Sequence, residues 1–331
     1  MKKKWLVSLI IYLTLIALCA LVIYIVPSVK GLLEKTYITE SGEISVTDDV
    51  EAFIVRDETV YLAGRASTIS RLADSDKLVK GGTRVVDISG EGLETESKRY
   101  TVIKSNLGKS AKKTKDGISE EAGYISYYVD GAEGKLTTDN LDNLKKSDLT
   151  ALTDLPMKAT AKGKCAAGDP LFKVSRNAKW FLVFYLDKDR AEKYTEGKVV
   201  SINMNGEDIA VKVHSVVHGR KQSKIILSCK SYFVGLLKIR RLDTTVTYER
   251  GEGLLIRNSS IVEKKGQRGV IVKNKLDEHI FKPISVKAAD GEQSVIYSDI
   301  YVDKNGHYVE TVNVYDEIVE NPTEKVIEES T

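Results

Sequence analysis

Three glycine-containing motifs are the places where residue spacing could support nucleotide binding. Gly108-Lys109-Ser110 has the end of a phosphate-binding P-loop, but Ile103 stands five residues before Gly108, where that loop needs a glycine. Gly90-Glu91-Gly92 and Gly251-Glu252-Gly253 lack the third glycine and the following helix of a dinucleotide-binding fingerprint. No serine or cysteine lies in a nucleophile elbow. The sequence therefore predicts no catalytic residue, no cofactor-binding residue and no enzyme.

Histidine and cysteine, which could bind a metal, are few and far apart. His214 and His218 would face one metal on a helix, but the valines around them alternate as in a strand, where residues four apart lie about 13 Å from one another. Cys165 and Cys229 are the only candidates for a disulfide, because Cys19 lies in an apolar run; they can equally be small buried hydrophobic residues. The spacing predicts no metal site and leaves the disulfide open.

The elements that hold these residues are predicted to be short strands separated by turns. Gly42–Leu62 alternates apolar and charged residues, and Asn205-Gly206 between two apolar runs is a strong hairpin signal. Further strands are predicted at 83–88, 100–104, 124–129, 180–186, 198–204, 209–217, 224–229, 246–248, 254–257, 269–272, 281–286 and 309–314. Strands at near-regular spacing indicate stacked sandwiches or barrels.

Helices and loops take up less of the chain. Leucines three to five residues apart make Asp139–Leu152 the best helix candidate. The lysine-rich segments Lys109–Gly117 and Met157–Lys164 are predicted to be exposed loops, and the polar residues from Glu320 onwards are expected to fray.

The first residues predict a membrane anchor. Three lysines precede an apolar run, Trp5–Val26, which ends at Pro27. A helix of this length spans about 33 Å, enough for a hydrocarbon core about 30 Å thick. A cleaved signal peptide is the alternative, although its apolar core is usually shorter and ends in a small-x-small site. The lysines favour a cytoplasmic amino terminus, which would put the bulk of the chain outside the cytoplasm.

Composition excludes several classes of protein. The 331 residues are 42% apolar and 29% charged, close to the globular average, which argues against disorder and against a polytopic membrane protein. The net charge is +3, so nothing indicates the concentrated basic face that nucleic acid requires.

Several motifs follow one another along the chain: Arg56-Asp57-Glu58-Thr59-Val60, then Lys77-Leu78-Val79-Lys80-Gly81, then Ala122-Gly123-Tyr124-Ile125. Their order resembles the HlyD-type membrane fusion proteins, the periplasmic adaptor family of secretion and efflux pumps. In this resemblance the first two motifs correspond to the first half of the lipoyl-like domain and the third to the start of its returning half. The stretch 165–174 before Trp180 is similar to the closing turn that leads into the β-barrel. The segments 253–262, 269–272 and 281–284 resemble the barrel exit and the membrane-proximal domain.

Two departures limit what the resemblance implies. The interval Ser89–Ser119 is too short for the long α-helical hairpin that reaches an outer-membrane channel in some members. Asp76-Lys77-Leu78 lies in a turn like that of a lipoylated lysine, but the motif of such domains is absent, so Lys77 is expected to be a solvated turn residue.

The resemblance implies a mainly β fold: an N-terminal transmembrane helix, a lipoyl-like barrel-sandwich hybrid, a β-barrel and a membrane-proximal β domain. The implied divisions are a cytoplasmic tail (1–4), the transmembrane helix (5–27), a linker with a membrane-proximal strand (28–49), the split lipoyl-like domain with loop 89–119 in place of the hairpin (50–175), the barrel (176–250), the membrane-proximal domain (251–320) and a tail (321–331). Strands from both chain ends would share the last domain, with Ile38 and Ile44 near Val309–Val314.

The implied function is that of a single-pass, membrane-anchored adaptor that acts by contacts with an inner-membrane transporter. Phe281–Val286 and Tyr297–Tyr301 are the predicted contact segments. An envelope-assembly or cell-division accessory protein with the same fold stays open, as does a secreted β protein outside the family. The cargo, the partner and the oligomeric state, including a homo-oligomer, are not determined by the sequence.

Overall fold

The computed structural model describes residues 13–16, 34–94, 98–176, 179–204 and 206–331, and strands dominate them, as the sequence predicts. The strands are β1 Thr36–Ile38, β2 Glu40–Val55, β3 Glu58–Ala63, β4 Ser67–Arg71, β5 Leu78–Val79, β6 Val86–Ser89, β7 Ala111–Thr114, β8 Gly123–Ser126, β9 Tyr128–Val129, β10 Lys158–Ala159, β11 Gly163–Cys165, β12 Pro170–Arg176, β13 Trp180–Asp187, β14 Val199–Met204, β15 Glu207–Val217, β16 Gln222–Cys229, β17 Arg241–Arg257, β18 Val262–Lys264, β19 Gln267–Lys273, β20 His279–Pro283, β21 Val286–Ala289, β22 Gln293–Ile296, β23 Ile300–Val302, β24 Tyr308–Glu310 and β25 Glu317–Val319. The α-helices after residue 34 are Thr101–Leu107, Lys146–Thr153, Lys188–Ala191 and Glu324–Glu329.

The chain divides into two compact units. The central unit is Thr47–Tyr248, and the terminal unit combines the chain up to Val46 with Glu249–Thr331. Two long strands, β2 and β17, each contribute residues to both units.

A sandwich of two sheets forms the first part of the central unit. One sheet has the order β5-β8-β12-β3-β7, and the other has the order β11-β4-β6. Val60 of β3 pairs with Lys173 of β12, which joins the two halves of the chain that the sequence predicts to share this domain. The buried rings of Tyr61 and Phe172 stack 4.6 Å apart in its core.

A closed β-barrel forms the second part. Its strands follow the order β14-β15-β16-β13-β2-β17, and Ile202 of β14 pairs with Val246 of β17 to close the ring. Strands β14 and β15 are joined across residues 205 and 206, as the Asn-Gly signal predicts, since Met204 pairs directly with Glu207. The inward side chains, Trp180 and Phe184 among them, fill the barrel.

The terminal unit contains a sheet of the order β1-β25-β19-β18, with β20 on the other side of β19. Thr36 pairs with Val319, so strands from both chain ends share this sheet, as predicted. Ile38 pairs with Glu317, and the next residue, Thr39, donates a hydrogen bond to the carbonyl of Asn313, so Ile38 lies near the end of Val309–Val314 as expected. The expectation for Ile44 is wrong, because Ile44 packs against Ala288 and Val295 instead.

Two segments predicted to be exposed loops contribute strands instead. Within Lys109–Gly117, strand β7 pairs parallel to β3, and its Thr114 is buried. Within Met157–Lys164, β10 pairs with β9 and β11 with β4. Lys113 and Lys164 on these short strands are exposed while the backbone completes the sheets, so a high lysine content does not by itself distinguish a loop from a strand.

The predicted strand 100–104 is also wrong, because Thr101–Leu107 is a helix. Tyr100, Ile103 and Leu107 lie on one face at helical spacing and are all buried, and this periodicity outweighs the β-branched residues between them. No other α-helix lies among the described residues between β6 and β8. The helix predicted at Asp139–Leu152 is confirmed in part, as Lys146–Thr153.

The C-terminal residues are ordered rather than frayed. Glu324–Glu329 is helical, and the backbone of Thr331 exchanges hydrogen bonds with His279 and Phe281 on the edge of β20. Buried Ser330 explains the order, since its carbonyl accepts a hydrogen bond from Lys264 Nζ at 2.5 Å.

None of the helices in the described ranges is both long enough and apolar enough to cross a membrane. The predicted span Trp5–Val26 lies outside the described residues except for 13–16, which are helical.

Candidate functional site

The terminal unit brings the two predicted contact segments together at an open groove of about 510 Å³. Phe281 lies on β20 and Ile300 begins β23, and both line the groove. The other lining residues are Ile280, Lys282, Pro283, Asp299, Glu310, Thr311 and Asn313. Val286 and Tyr297 are not among the lining residues, although both are partly exposed.

Hydrogen bonds fix the walls of this groove. Thr311 Oγ1 donates to the carbonyl of Pro283 at 2.6 Å, which ties the segment after β24 to the end of β20. Lys282 Nζ donates to Asp316 Oδ2 at 2.7 Å. The side chains of Thr311 and Lys282 therefore stabilise the fold around the groove.

The hairpin β23–β24 carries an exposed apolar face beside the groove. Because side chains alternate along a strand, Tyr301 points inward and is 9% exposed, whereas Ile300, Val302 and Tyr308 are 52%, 56% and 82% exposed. Val302 and Tyr308 are cross-strand partners. We call Ile300, Val302 and Tyr308 the hairpin face.

Hydrogen bonds close the turn of this hairpin. Asp303 Oδ1 accepts hydrogen bonds from the backbone N–H groups of Asn305 and His307, both at 2.8 Å, and these bonds lower the pKa of Asp303. The apolar face is therefore presented on a preformed turn, which reduces the conformational entropy that a partner must remove on binding.

A second site, in the central unit, is a cluster of buried charges between the sandwich and the barrel. Three cations and three carboxylates meet there, each 5% exposed or less, and sequence reasoning missed the cluster. Its members, the charge cluster, are Arg56, Glu58, Asp130, Glu133, Lys173 and Arg240.

Glu58, at the start of β3, is the centre of the charge cluster. Its Oε1 lies 2.9 Å from Arg56 Nε and 3.0 Å from Lys173 Nζ, and its Oε2 lies 2.6 Å from Arg240 Nη2. Burial alone would raise the pKa of Glu58, but the charges of Arg240, Arg56 and Lys173 hold it well below its usual value.

The remaining carboxylates complete the neutralisation. Arg240 donates two hydrogen bonds to the carboxylate of Asp130, at 2.6 and 3.0 Å. Burial would raise the pKa of Asp130, but the positive charge of Arg240 has the larger effect and lowers it. Glu133 accepts the backbone N–H groups of Asp130 and Gly131, yet burial raises its pKa despite Lys173 at 3.3 Å.

The charge cluster joins the sandwich to the barrel. The guanidinium of Arg56 donates to the carbonyls of Leu236, Leu237 and Ile239 in the loop that leads into the barrel strand β17. The ion pairs of Arg240 with Glu58 and Asp130 likewise connect the barrel to the sandwich.

The turn considered for a lipoylated lysine makes a further link between these domains. Asp76 accepts hydrogen bonds from Tyr232 Oη at 2.6 Å and from the backbone of Gly235 at 3.1 Å. The rings of Tyr124 and Tyr232 stack with centroids 3.5 Å apart. Lys77 is exposed, as expected of a turn residue.

His214, Cys165 and Cys229 do not form a common site. His214 lies on β15, as the alternation predicts, and its ring packs 5.1 Å from that of Phe181. Cys165 and Cys229 are unpaired and buried in different cores, and burial raises the pKa of the Cys229 thiol. Across the part of the chain that the structure describes, no three His, Cys, Asp or Glu side chains are grouped to hold a metal ion.

Comparison with solved structures finds similar chains at low identity. ZneB from Cupriavidus metallidurans is 13% identical, with 88% of this chain and 93% of that chain covered and a TM-score of 0.28. MacA from Actinobacillus actinomycetemcomitans is 12% identical, with 86% and 99% covered and a TM-score of 0.32. The membrane fusion protein Spr0693 from Streptococcus pneumoniae R6 is 11% identical, with 63% and 98% covered and a TM-score of 0.26. No curated protein sequence matches the chain.

Family models match both domains of the central unit. Residues 58–176 match the RND-related barrel-sandwich hybrid domain, and residues 180–250 match the RND-related β-barrel domain. The two matched segments together cover more than half of the chain and correspond to the sandwich and the closed barrel described above. The chain thus belongs to the membrane fusion proteins of HlyD type, the adaptor family that the order of its motifs resembles.

Proposed function

We propose that the protein is an extracytoplasmic adaptor, held in the membrane by the single span Trp5–Val26, which acts by contacts with an inner-membrane transporter. Membership of the membrane fusion proteins supports an adaptor role. In this proposal residues 28–49 and 251–320 form the membrane-proximal domain, and the sandwich (50–175) and barrel (176–250) follow the implied order. The bulk of the chain lies outside the cytoplasm.

The hairpin face is the observation that carries the contact. Soluble domains rarely expose a contiguous group of large apolar side chains without a partner, and here three exposed ones lie on one hydrogen-bonded hairpin. Tyrosine is also among the residues that are enriched at protein interfaces. The hairpin lies in the terminal unit, which the proposal assigns to the membrane-proximal domain.

Site-specific cross-linking in the full-length chain tests this function. A photo-reactive residue replaces Tyr308 in one variant and Val234 of the central unit in the other; both native residues are 82% exposed, so the two sites are matched. We expect the residue at 308 to cross-link to a polytopic transporter and the residue at 234 to give no such product.

A substitution in the same face adds a quantitative test. Val302→Asp should reduce the amount of transporter that purifies with the chain by at least tenfold, because an aspartate in an apolar contact must be desolvated. Val234→Asp should leave the amount unchanged. Cross-linking from position 308 to a division or envelope-assembly protein, with no transporter recovered, would overturn the transport role.

A further inference from the structure

A second group of exposed apolar side chains lies at one end of the five-stranded sheet of the terminal unit. They come from three separate stretches of the chain and do not belong to the hairpin face. We call them the apolar rim: Ile38, Val314, Tyr315 and Leu276.

Strand register places these residues together. Glu317 pairs with Ile38 on one side and with Lys273 on the other, so the three residues form one row across the sheet. The chain before Glu317 and the chain after Lys273 both continue beyond this row. The turns that contain Tyr315 and Leu276 therefore lie side by side at the same end.

The exposure of the rim is built into these turns. Leu276 is 77% and Tyr315 is 78% exposed, while Val272 and Ile318, one row inside, are buried in the core. Asn274 Oδ1 accepts the backbone N–H groups of Leu276 and Glu278, which closes the first turn.

Hydrogen bonds close the second turn in the same way. Asp316 Oδ2 accepts the N–H of Asn313 at 2.8 Å, and Tyr315 adopts a φ of 69°. Both turns thus hold their apolar side chains away from the core.

The chain that leads from the proposed membrane span enters β1 at Thr36, two residues before Ile38 of the rim. From Pro27 to Thr36 there are nine residues, which extend over about 30 Å at most. Glu34 Oε2 lies 2.7 Å from His279 Nε2, and His279 directly follows the turn that carries Leu276. The span therefore tethers the rim within reach of the bilayer surface.

The composition of the rim is that of a membrane interface. Tyrosine prefers the headgroup level, and leucine and isoleucine prefer the acyl boundary. The charges around Leu276 balance, with Lys273 and Lys275 against Asp277 and Glu278, so attraction to anionic lipid adds little.

We propose that the apolar rim inserts into the extracytoplasmic leaflet of the membrane that holds Trp5–Val26, with Leu276 and Tyr315 as its deepest side chains. The inference rests on the anchoring stated under the proposed function. The contact orients the terminal unit on the lipid surface by apolar burial and does not require anionic lipid.

Quenching of tryptophan fluorescence by brominated lipid tests the proposal on the full-length chain. Leu276→Trp, Tyr315→Trp and the control Val234→Trp, together with the unsubstituted chain, are reconstituted into phosphatidylcholine vesicles with or without bromine on the acyl chains. Native Trp5, in the proposed span, reports anchoring, and buried Trp180 gives a constant background.

We expect brominated lipid to remove at least about half of the emission that Leu276→Trp and Tyr315→Trp add, and none of that added by Val234→Trp. Phosphatidylglycerol in the vesicles should leave this result unchanged. Quenching of Trp5 with no quenching at 276 or 315 would refute lipid contact by the rim while leaving the anchor intact. Absence of Trp5 quenching would refute the anchor and this inference together, whereas the cross-linking at position 308 tests the transporter contact separately.

Discussion

At the scale of single residues, the contribution of the charge cluster to the stability of the junction between sandwich and barrel depends on Glu58. Burying an ion costs several kcal/mol even after relaxation, so a complete cluster contributes little compared with apolar packing. Removing one partner is different, because the cations that remain are buried without compensation. Three cations lie within 3.0 Å of the Glu58 carboxylate.

Glu58→Gln should therefore lower the free energy of unfolding by about 3–5 kcal/mol in chemical denaturation. Glu51→Gln is the matched control, since Glu51 also pairs with an arginine, Arg241 at 3.1 Å, but is partly exposed. The control should change the free energy by about 1 kcal/mol or less. Equal effects of the two substitutions would contradict the central role of Glu58.

The lowered pKa values of Glu58 and Asp130 also predict acid sensitivity. The unfolded chain binds protons at these carboxylates more readily than the folded chain, so their stabilisation is present above a pH of about 4.5 and is lost as the pH falls. Glu133, with a raised pKa, has the opposite sign and offsets part of the loss. Denaturation between pH 3 and 6 should show a smaller slope of stability against pH in Glu58→Gln than in the unsubstituted chain.

Gly117 provides a second prediction at this scale. Its φ is +72°, and a Cβ there would lie 1.9 Å from the carbonyl oxygen of Val86. Gly117→Ala should lower the free energy of unfolding by at least about 3 kcal/mol, from backbone strain and this clash together. Gly82→Ala is the control for strain alone, because Gly82 has φ +85° with open space around it; it should cost about 1 kcal/mol. A cost of 1 kcal/mol at both sites would show that the backbone at Val86 can move away.

At the scale of elements, strand β7 shows why a polar segment need not be dispensable. Deleting 109–115 removes four residues paired with β3 and leaves backbone groups of β3 without partners. We expect the free energy of unfolding to fall by at least about 2 kcal/mol in thermal or chemical denaturation.

The double substitution Lys113→Ala and Lys115→Ala is the control for this deletion, because both lysines are exposed and the strand is kept. It should change the free energy by less than about 0.5 kcal/mol. A deletion that unfolds like this control would mean that β7 adds nothing to the sandwich.

Most strands could be predicted from the sequence, because runs of Val, Ile and Tyr bury one or both faces. The helix at Thr101–Leu107 could not be recognised from propensity, since its signal is the burial of Tyr100, Ile103 and Leu107 at helical spacing. Five of the nine groove residues lie within the contact segments that the family resemblance marked, Phe281–Val286 and Tyr297–Tyr301. The other four, Ile280, Glu310, Thr311 and Asn313, lie outside them.

The charge cluster lay beyond prediction for a different physical reason. Arg56 and Glu58, two residues apart beside a strand, hinted that one face buries charge. The charges that complete the cluster with them include Asp130, Lys173 and Arg240, which are far away in the sequence. Local sequence patterns carry no information about such distant contacts.

At the scale of the whole molecule, the proposed topology places all but the first residues outside the cytoplasm. A reporter that is active only in the cytoplasm, fused after Thr331, should therefore be silent. The same fusion to a chain that lacks 5–26 should stay in the cytoplasm and be active, which controls for folding of the reporter. Activity of the full-length fusion would reverse the assigned orientation.

The charge cluster also sets the order in which this chain can fold as it emerges from a ribosome or an export channel. Arg56 cannot form its hydrogen bond to the carbonyl of Leu236 until 180 more residues have emerged. Asp130 cannot pair with Arg240 until 110 more residues have emerged. Before Arg240 emerges, the cluster consists of three carboxylates and two cations. This excess negative charge keeps the unfinished cluster hydrated. Sandwich and barrel should consequently become native in one step, late in synthesis, and a chain stalled before Arg240 should remain sensitive to protease throughout both.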